Sequence, residues 1–205
     1  MPTKILGYSK PYLVKIYCNG LNYNGTSVNG WLRLPMTKVD GYDFTDSTIV
    51  NNGRNASGIL IASVIRSGFF KVEMQYSLLN PEITSTLLKQ FEDSNESIYT
   101  GMNGSFIHFT KVYSPILNNY IIRKAYVGDR KPKIFLLEKD SDGFYYNRGW
   151  KDLPIHLIGT GEKQSEWESK GETTPQDTES NNYYIRENGT IGKATLNSDG
   201  TETYD

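Results

Sequence analysis

Alternating apolar and polar positions along most of the chain predict a protein built mainly from β-strands. In residues 69–76, for example, the even-numbered positions are Phe, Val, Met and Tyr, and most of the odd-numbered ones are polar. Because successive side chains of a strand point to opposite faces, one face of this strand should be buried. The other runs interpreted as strands are residues 12–18, 21–23, 31–34, 59–66, 105–113, 120–127, 133–139, 144–146 and 150–158.

Short polar pairs that contain glycine separate these runs and predict tight turns. An Asn-Gly pair takes up positive φ angles at little cost, so it favours the turn of a β-hairpin. We expect turns at Asn19-Gly20, Asn24-Gly25, Asn29-Gly30 and Ser67-Gly68, and an Asp-Gly turn within residues 140–143.

One α-helix is predicted, from about Pro81 to Glu92. Asn80 is suited to cap the helix, because its side-chain oxygen can accept a hydrogen bond from a free N–H group. Pro81 fits the first helical position, where no N–H donor is needed. Four apolar residues fall on one stripe that should pack against the sheet: Ile83, Leu87, Leu88 and Phe91.

These elements predict an antiparallel β-sandwich or barrel over residues 1–160, with one packed helix. Composition changes after Gly161, and residues 162–182 contain Trp167 as their only large apolar side chain. Alone, such a segment would be disordered. We therefore interpret residues 161–205 as a polar C-terminal extension that packs on something else and could form a small β-meander.

Residues 38–58 are unusually polar for a segment inside a compact domain. They could be a solvated loop, but a long loop of this kind is often functional, and we favour an arm that becomes ordered on a neighbouring subunit. Together with the extension, this segment supplies the candidate subunit-contact residues: Asp40, Asp43, Asp46, Asn51, Asn52, Arg54, Asn55, Trp167, Tyr183 and Tyr184.

Charge and composition exclude several classes of function. The formal net charge is −1, so a basic surface for sequence-specific nucleic-acid binding is not expected. Cys18 is the only cysteine, which rules out an intramolecular disulfide. The first fifteen residues lack a signal-peptide pattern, and no apolar run is long enough to span a membrane. We expect synthesis in a cytoplasm without membrane insertion.

No pattern of catalytic or metal-binding residues is present, so neither an enzyme nor a cofactor is expected. His108 and His156 lie in predicted strands about fifty residues apart, without a neighbouring nucleophile or motif carboxylate. A structural histidine is the preferred interpretation of each. The 15 tyrosines suggest carbohydrate binding as an alternative, although they are spread along the strands rather than clustered.

A family resemblance gives this reading a specific form. Residues 125–130 (Ala-Tyr-Val-Gly-Asp-Arg), the tyrosine-rich hairpin and residues 149–158 (Gly-Trp-Lys-Asp-Leu-Pro-Ile-His-Leu-Ile) resemble small phage and prophage tail-region proteins of Gram-positive hosts. The helix after a hairpin and the polar loop with Asn55 and Gly58 are also similar. The resemblance covers about residues 30–160 and leaves out both ends of the chain.

The resemblance implies a structural protein of the virion tail, similar in element order to the tail-tube and baseplate-hub fold. The expected partners are copies of the chain in a ring and other tail or baseplate proteins. A carbohydrate- or receptor-binding module of the same kind of particle is the alternative.

Overall fold

The computed structural model describes residues 12–23, 26–92, 107–128, 130–131, 133–178, 180–196 and 202–204. The strands are β1 (Val14–Tyr23), β2 (Thr26–Arg33), β3 (Tyr42–Arg54), β4 (Leu60–Leu79), β5 (Ile107–Ser114), β6 (Asn119–Val127), β7 (Lys133–Lys139), β8 (Tyr145–Gly159), β9 (Asn182–Ile185), β10 (Ile191–Leu196) and β11 (Glu202–Tyr204). The helices are α1 (Pro81–Glu92) and α2 (Gln164–Glu168).

The mainly β class is confirmed, and the strands form one open, sandwich-like sheet. Its order is β11-β10-β9-β2-β1-β5-β6-β8-β4-β3, with β7 pairing on β8. The described strands do not close into a barrel. All pairs are antiparallel except β2 and β9, which run parallel.

One face of the sheet encloses the main hydrophobic core. The predicted apolar face of β4 is confirmed, because Phe70, Val72, Met74 and Tyr76 are all buried. The aliphatic face of β8 lies beside it, with Leu153, Ile155 and Leu157 at most 1% exposed. Each fully buried side chain of this size contributes about 1.5–3 kcal/mol, so this alternation is the main determinant of the fold.

Helix α1 has the bounds that its capping residues predict. The Ile83 N–H group donates to the Asn80 side-chain oxygen at 2.7 Å, which confirms the N-cap. Leu87 and Phe91 are buried in the core, so the predicted stripe packs as expected. The second helix, α2, is one short turn that the sequence analysis did not predict.

Three of the predicted turns are wrong, because the strands continue through them. Gly20 is an extra residue on β1 between the pairs Asn19–Asn29 and Leu21–Val28, so it forms a bulge. Gly30 lies within β2, where an added Cβ would come 2.2 Å from the Asn181 carbonyl oxygen. Glycine is required there for close backbone approach. Residues 24–25, the remaining Asn-Gly pair, are outside the described residues.

The Ser67-Gly68 pair is also a bulge rather than a turn. Ser47 pairs with Phe69 and Ile49 pairs with Arg66, so the two residues between them on β4 oppose one on β3. A single strand of 20 residues therefore replaces the predicted hairpin of residues 59–66 and 69–76.

The prediction of a loop over residues 38–58 is likewise wrong for most of its length. Residues 42–54 form β3 and pair with β4 from Tyr42–Met74 to Arg54–Leu60. The Asp and Asn residues lower the local strand propensity, but the paired backbone of β4 supplies the hydrogen bonds that hold them extended.

The hairpin of β7 and β8 is confirmed. The Asp140 side-chain oxygen accepts hydrogen bonds from the N–H groups of Asp142 and Phe144, and Gly143 has a φ of 91°. The first strand residues after the turn and the predicted 150–158 strand belong to one continuous β8.

The C-terminal region lies on the same sheet. β9 pairs with β2, β10 with β9, and β11 with β10, so these strands extend one end of the sheet. The segment before them, residues 160–178 and 180–181, crosses the face opposite the main core, where Trp167 packs with Trp31 and Phe109. We call this segment the strap.

Candidate functional site

Strands β3 and β4 extend beyond the body of the sheet as a two-stranded ribbon. β8 pairs with β4 only between Lys71 and Leu79. Among the described strands, the part of β4 before Lys71 pairs with β3 alone. Apart from Phe70, whose side chain lies in the main core, residues 46–70 form a projection, which we call the β3–β4 arm. At about 3.3 Å per residue, its strands reach roughly 30 Å beyond the sheet.

The tip of this arm is held by its own polar side chains. The Asn55 side-chain oxygen accepts from the N–H groups of Ser57 and Ile59 at 3.0 and 2.9 Å. The Arg54 guanidinium donates to the Gly58 carbonyl oxygen at 2.7 Å. Ile59 and Leu60 are 63% and 60% exposed, so the tip also presents apolar surface.

The arm carries most of the predicted contact residues. Asp46, Asn51, Asn52, Arg54 and Asn55 are exposed along it, and Asp40 and Asp43 are exposed at its base. The structure thus brings the polar candidates together on one projecting element. Their role in subunit contact remains a prediction.

The aromatic candidates of the C-terminal region lie elsewhere. Trp167 is 1% exposed, and its ring contacts Phe109 edge to face at 5.6 Å. Its prediction as a subunit contact does not fit this position, because the side chain fills the chain's own second core. Tyr183 and Tyr184 are half-buried on β9, and Tyr183 packs against the main core.

A second ribbon, which we call the β7–β8 arm, comprises residues 133–149. β7 pairs with β8 from Lys133–Lys151 to Lys139–Tyr145, and only Trp150 and Lys151 of this part of β8 also pair with β4. Its exposed apolar residues are Ile134, Leu137, Phe144, Tyr145 and Tyr146.

Charged side chains of the β7–β8 arm lie over its tyrosine rings. Lys139 Nζ is 5.8 Å from the Tyr145 ring centre, and the Arg148 guanidinium is 5.4 Å from the Tyr146 ring centre. Glu138 accepts from both Tyr146 and Arg148 at 2.9 and 2.8 Å. This arm is not among the contact candidates predicted from the sequence, although three consecutive aromatics after an Asp-Gly turn are a usable signal.

The two arms leave opposite ends of the β4–β8 pair. These strands are antiparallel, and Lys71 pairs with Ile158 while Leu79 pairs with Trp150. The β3–β4 arm continues past the Lys71 end, and the β7–β8 arm continues past the Leu79 end. One chain can therefore contact two different neighbours with two different projections.

Ion pairs fasten the strap to the sheet. Lys15 is fully buried, and its Nζ lies 3.0 Å from Asp177 Oδ2. Lys111 also bonds to Asp177. Lys124, 1% exposed, lies 2.6 Å from Glu172 and 3.4 Å from Glu162.

The pKa directions follow from this burial and pairing. Desolvation lowers the pKa of Lys15 to about 8, although Asp177 opposes that shift. Burial alone would raise the pKa of Asp177, but Lys15 and Lys111 outweigh it and hold the pKa below 3.8. These ion pairs therefore hold the strap on the sheet, together with the packing of Trp167.

The two histidines occupy different environments. His108 is buried and its ring contacts Phe91 in an edge-to-face arrangement. Among the described residues neither ring nitrogen has a hydrogen-bond partner, and desolvation lowers the pKa of His108 to about 4. His156 is half-buried, with Nε2 3.8 Å from Glu73 Oε2. That distance is too long for a hydrogen bond.

His156 borders a small acidic cavity of about 110 Å³, lined by Asp40, Gly41, Asp43, Glu73, Met74, Gln75, Pro154 and His156. Ligand sites usually enclose about 300–1,000 Å³. No lining residue carries a hydroxyl or thiol nucleophile. Across the described residues, no group of three or more His, Cys, Asp or Glu side chains is placed to hold a metal ion.

Comparisons with known proteins identify no family for the chain. No protein-family model matches it, and no curated protein is significantly similar to it. Neither described helix combines the length and apolar character that a membrane-spanning helix needs.

Proposed function

We propose that the chain is a non-enzymatic structural component of a phage tail or its baseplate. It assembles into an oligomeric ring or adaptor through its arms and strand edges. Its partners are copies of itself and other tail or baseplate proteins, and it resides in the tail of the virion. The assignment to a tail is supported by the resemblance of residues 125–158 to tail-region proteins.

The observation that carries the assembly role is the β3–β4 arm. Its described side chains from Asp46 to Leu60 are exposed, and residues 46–54 have β4 as their one strand partner among the described strands. A two-stranded ribbon by itself is marginally stable in water, because it has no core on either face. Packing against a neighbour would supply the missing burial.

The β7–β8 arm supports the same role. Phe144 and Tyr145 are 72% and 69% exposed, and exposed apolar surface of this kind typically marks a contact site. Because this arm and the β3–β4 arm project from opposite ends, one copy can contact two neighbours at once, which assembly beyond a dimer requires.

The same aromatics bear on the alternative of a carbohydrate-binding module. Sugars stack on coplanar rings, whereas Tyr145 and Tyr146 are consecutive on β8 and therefore point to opposite faces. They do not form a shared platform, so the aromatic cluster favours protein contact over sugar stacking.

Electron microscopy of the purified chain tests the proposal. The expected result is a ring or a stacked oligomer with both arms in contact with neighbours. Antibody labelling of particles from the strain that carries the gene should mark the tail. A chain that remains monomeric at every concentration and is missing from the labelled tails would overturn the proposal.

A further inference from the structure

The described strands differ in how well their open edges are protected. The sheet ends at β3 and β11, and β7 pairs on one side only. β11 has three residues, and β7 begins and ends with lysine and has irregular register near Leu136. Short length, lysine and bulges are the usual protections against edge-to-edge pairing.

β3 lacks the short length, the lysines and the bulges, and of the charged side chains that also protect sheet edges it has Asp43, Asp46 and Arg54. It is 13 residues long and contains neither lysine nor proline. The pairing of β3 with β4 is irregular at two places, and in both the extra residue is on β4. At the first, residues 67–68 oppose Thr48 alone. At the second, residue 65 lies between the pairs Ile49–Arg66 and Val50–Val64. The outer edge of β3 is therefore regular, as an added strand requires.

The charges on β3 select one self-complementary register. Two antiparallel copies related by a two-fold axis place residues of the same face opposite one another. If the two-fold axis passes beside residue 50, Asp46 of each copy lies opposite Arg54 of the partner subunit. Both residues are exposed and lie on the same face of the strand. An axis beside residue 48 would place Asp46 opposite Val50, and an axis beside residue 49 would place it opposite Asn52. Neither of these residues carries a charge.

We propose that the outer edge of β3 binds β3 of a second copy, antiparallel and centred on residue 50. The result is a four-stranded ribbon of β4, β3, β3 and β4, which meets the strand number that stable sheets need. The overlap spans residues 46–54, the part of β3 beyond β8, so the two sheet bodies lie at opposite ends. This inference rests on the proposed self-assembly and names the edge that performs it.

Disulfide trapping tests the register. Val50→Cys places two cysteines across the axis, where facing Cα atoms are about 4.5–5.5 Å apart. Thr48→Cys is the matched control, because its two copies would be separated by about 13 Å along the strands. Cys18, the only native cysteine, is buried and can remain. Under mild oxidation, Val50→Cys should give a cross-linked dimer and Thr48→Cys should not.

Charge reversal tests the same contact without new covalent chemistry. The 46–54 pair occurs twice in the proposed dimer. Asp46→Arg or Arg54→Asp alone therefore creates two pairs of like charges, and the dissociation constant of the dimer should rise about tenfold. The double variant should restore association. Because Arg54 also donates to the Gly58 carbonyl oxygen, Asp46→Arg is the single variant that leaves the arm tip intact, and its monomer should keep the wild-type circular dichroism spectrum.

The outcomes separate this inference from the proposed function. If the chain forms oligomers in which Val50→Cys cross-links no faster than Thr48→Cys, the β3 pairing is overturned while assembly stands. If wild-type chain stays monomeric at several hundred micromolar, the β3 pairing is overturned and the self-assembly part of the proposed function is also lost.

Discussion

Lys15 and Asp177, which are 162 residues apart in the chain, form a buried ion pair. The Lys15 ammonium has no exposed surface and also donates to the Asn182 side-chain oxygen at 2.6 Å. Asp177 belongs to the strap, and Lys15 lies on the outer face of β1. The pair therefore makes the stability of the sheet depend on the docking of the strap.

Removing Asp177 should destabilise the fold strongly. Asp177→Ala leaves the buried Lys15 ammonium without its counter-charge, which typically costs about 3–5 kcal/mol. The free energy of unfolding from urea titration at pH 7 measures this. The exposed pair of Lys71 and Glu73 is the control, since Glu73→Gln should change stability by less than about 1 kcal/mol. Equal effects of the two substitutions would contradict the role of burial.

Stability should rise between pH 7.5 and pH 9.5. The pKa of Lys15 is about 8 in the folded chain and 10.5 ordinarily, so the unfolded chain binds the proton more tightly in this window. Because stability increases with pH wherever the unfolded state binds more protons, the gain should be about 2 kcal/mol. Lys15→Met should lose this slope. A variant that keeps the slope would show that another group causes it.

The stability between pH 7 and pH 4 tests the contribution of His108. Its pKa is about 4 in the folded chain against an ordinary 6.5, so the unfolded chain takes up a proton first as the pH falls. Stability should therefore drop by about 3 kcal/mol from pH 7 to pH 4. His108→Leu should remove that component. Because the ring nitrogens have no hydrogen-bond partner among the residues that the structure describes, the substitution should also stabilise the chain at pH 7. A His108→Leu variant that keeps the full drop would contradict this assignment.

Two strand glycines should respond differently to alanine. Gly30→Ala forces a Cβ to within 2.2 Å of the Asn181 carbonyl oxygen, so β2 or the residue before β9 must shift. A loss of about 2 kcal/mol or more is expected from such overpacking. Gly53→Ala adds a Cβ that has no atom of the described residues within 4 Å, so it should be neutral or slightly stabilising. Thermal unfolding of both variants compares them directly.

Local signals in the sequence were sufficient for part of the fold. The Asn80 cap with Pro81 placed α1, and period-two alternation identified the buried faces of β4 and β8. These features depend on hydrogen bonds and burial within a few residues, so a short window of sequence contains them.

Features that depend on distant partners could not be predicted. Ser67-Gly68 has the composition of a turn, but pairing with β3 makes it a bulge. Lys15 alternates with apolar neighbours, a pattern that predicts a solvent-facing side chain. It is buried because the strap covers it, and its partner there, Asp177, is 162 residues away in the sequence. The polar composition of residues 42–54 concealed a strand whose order depends on β4.

Limited trypsin digestion at Arg54 tests most directly whether the β3–β4 arm completes its burial on neighbours. The exposed bond after Arg54 should be cut rapidly in the isolated chain and at least about tenfold more slowly in the assembled oligomer, because local opening is suppressed by packing. Cleavage after exposed Lys193, on β10, provides the internal reference. Equal cleavage at Arg54 in the isolated and assembled states would contradict the account.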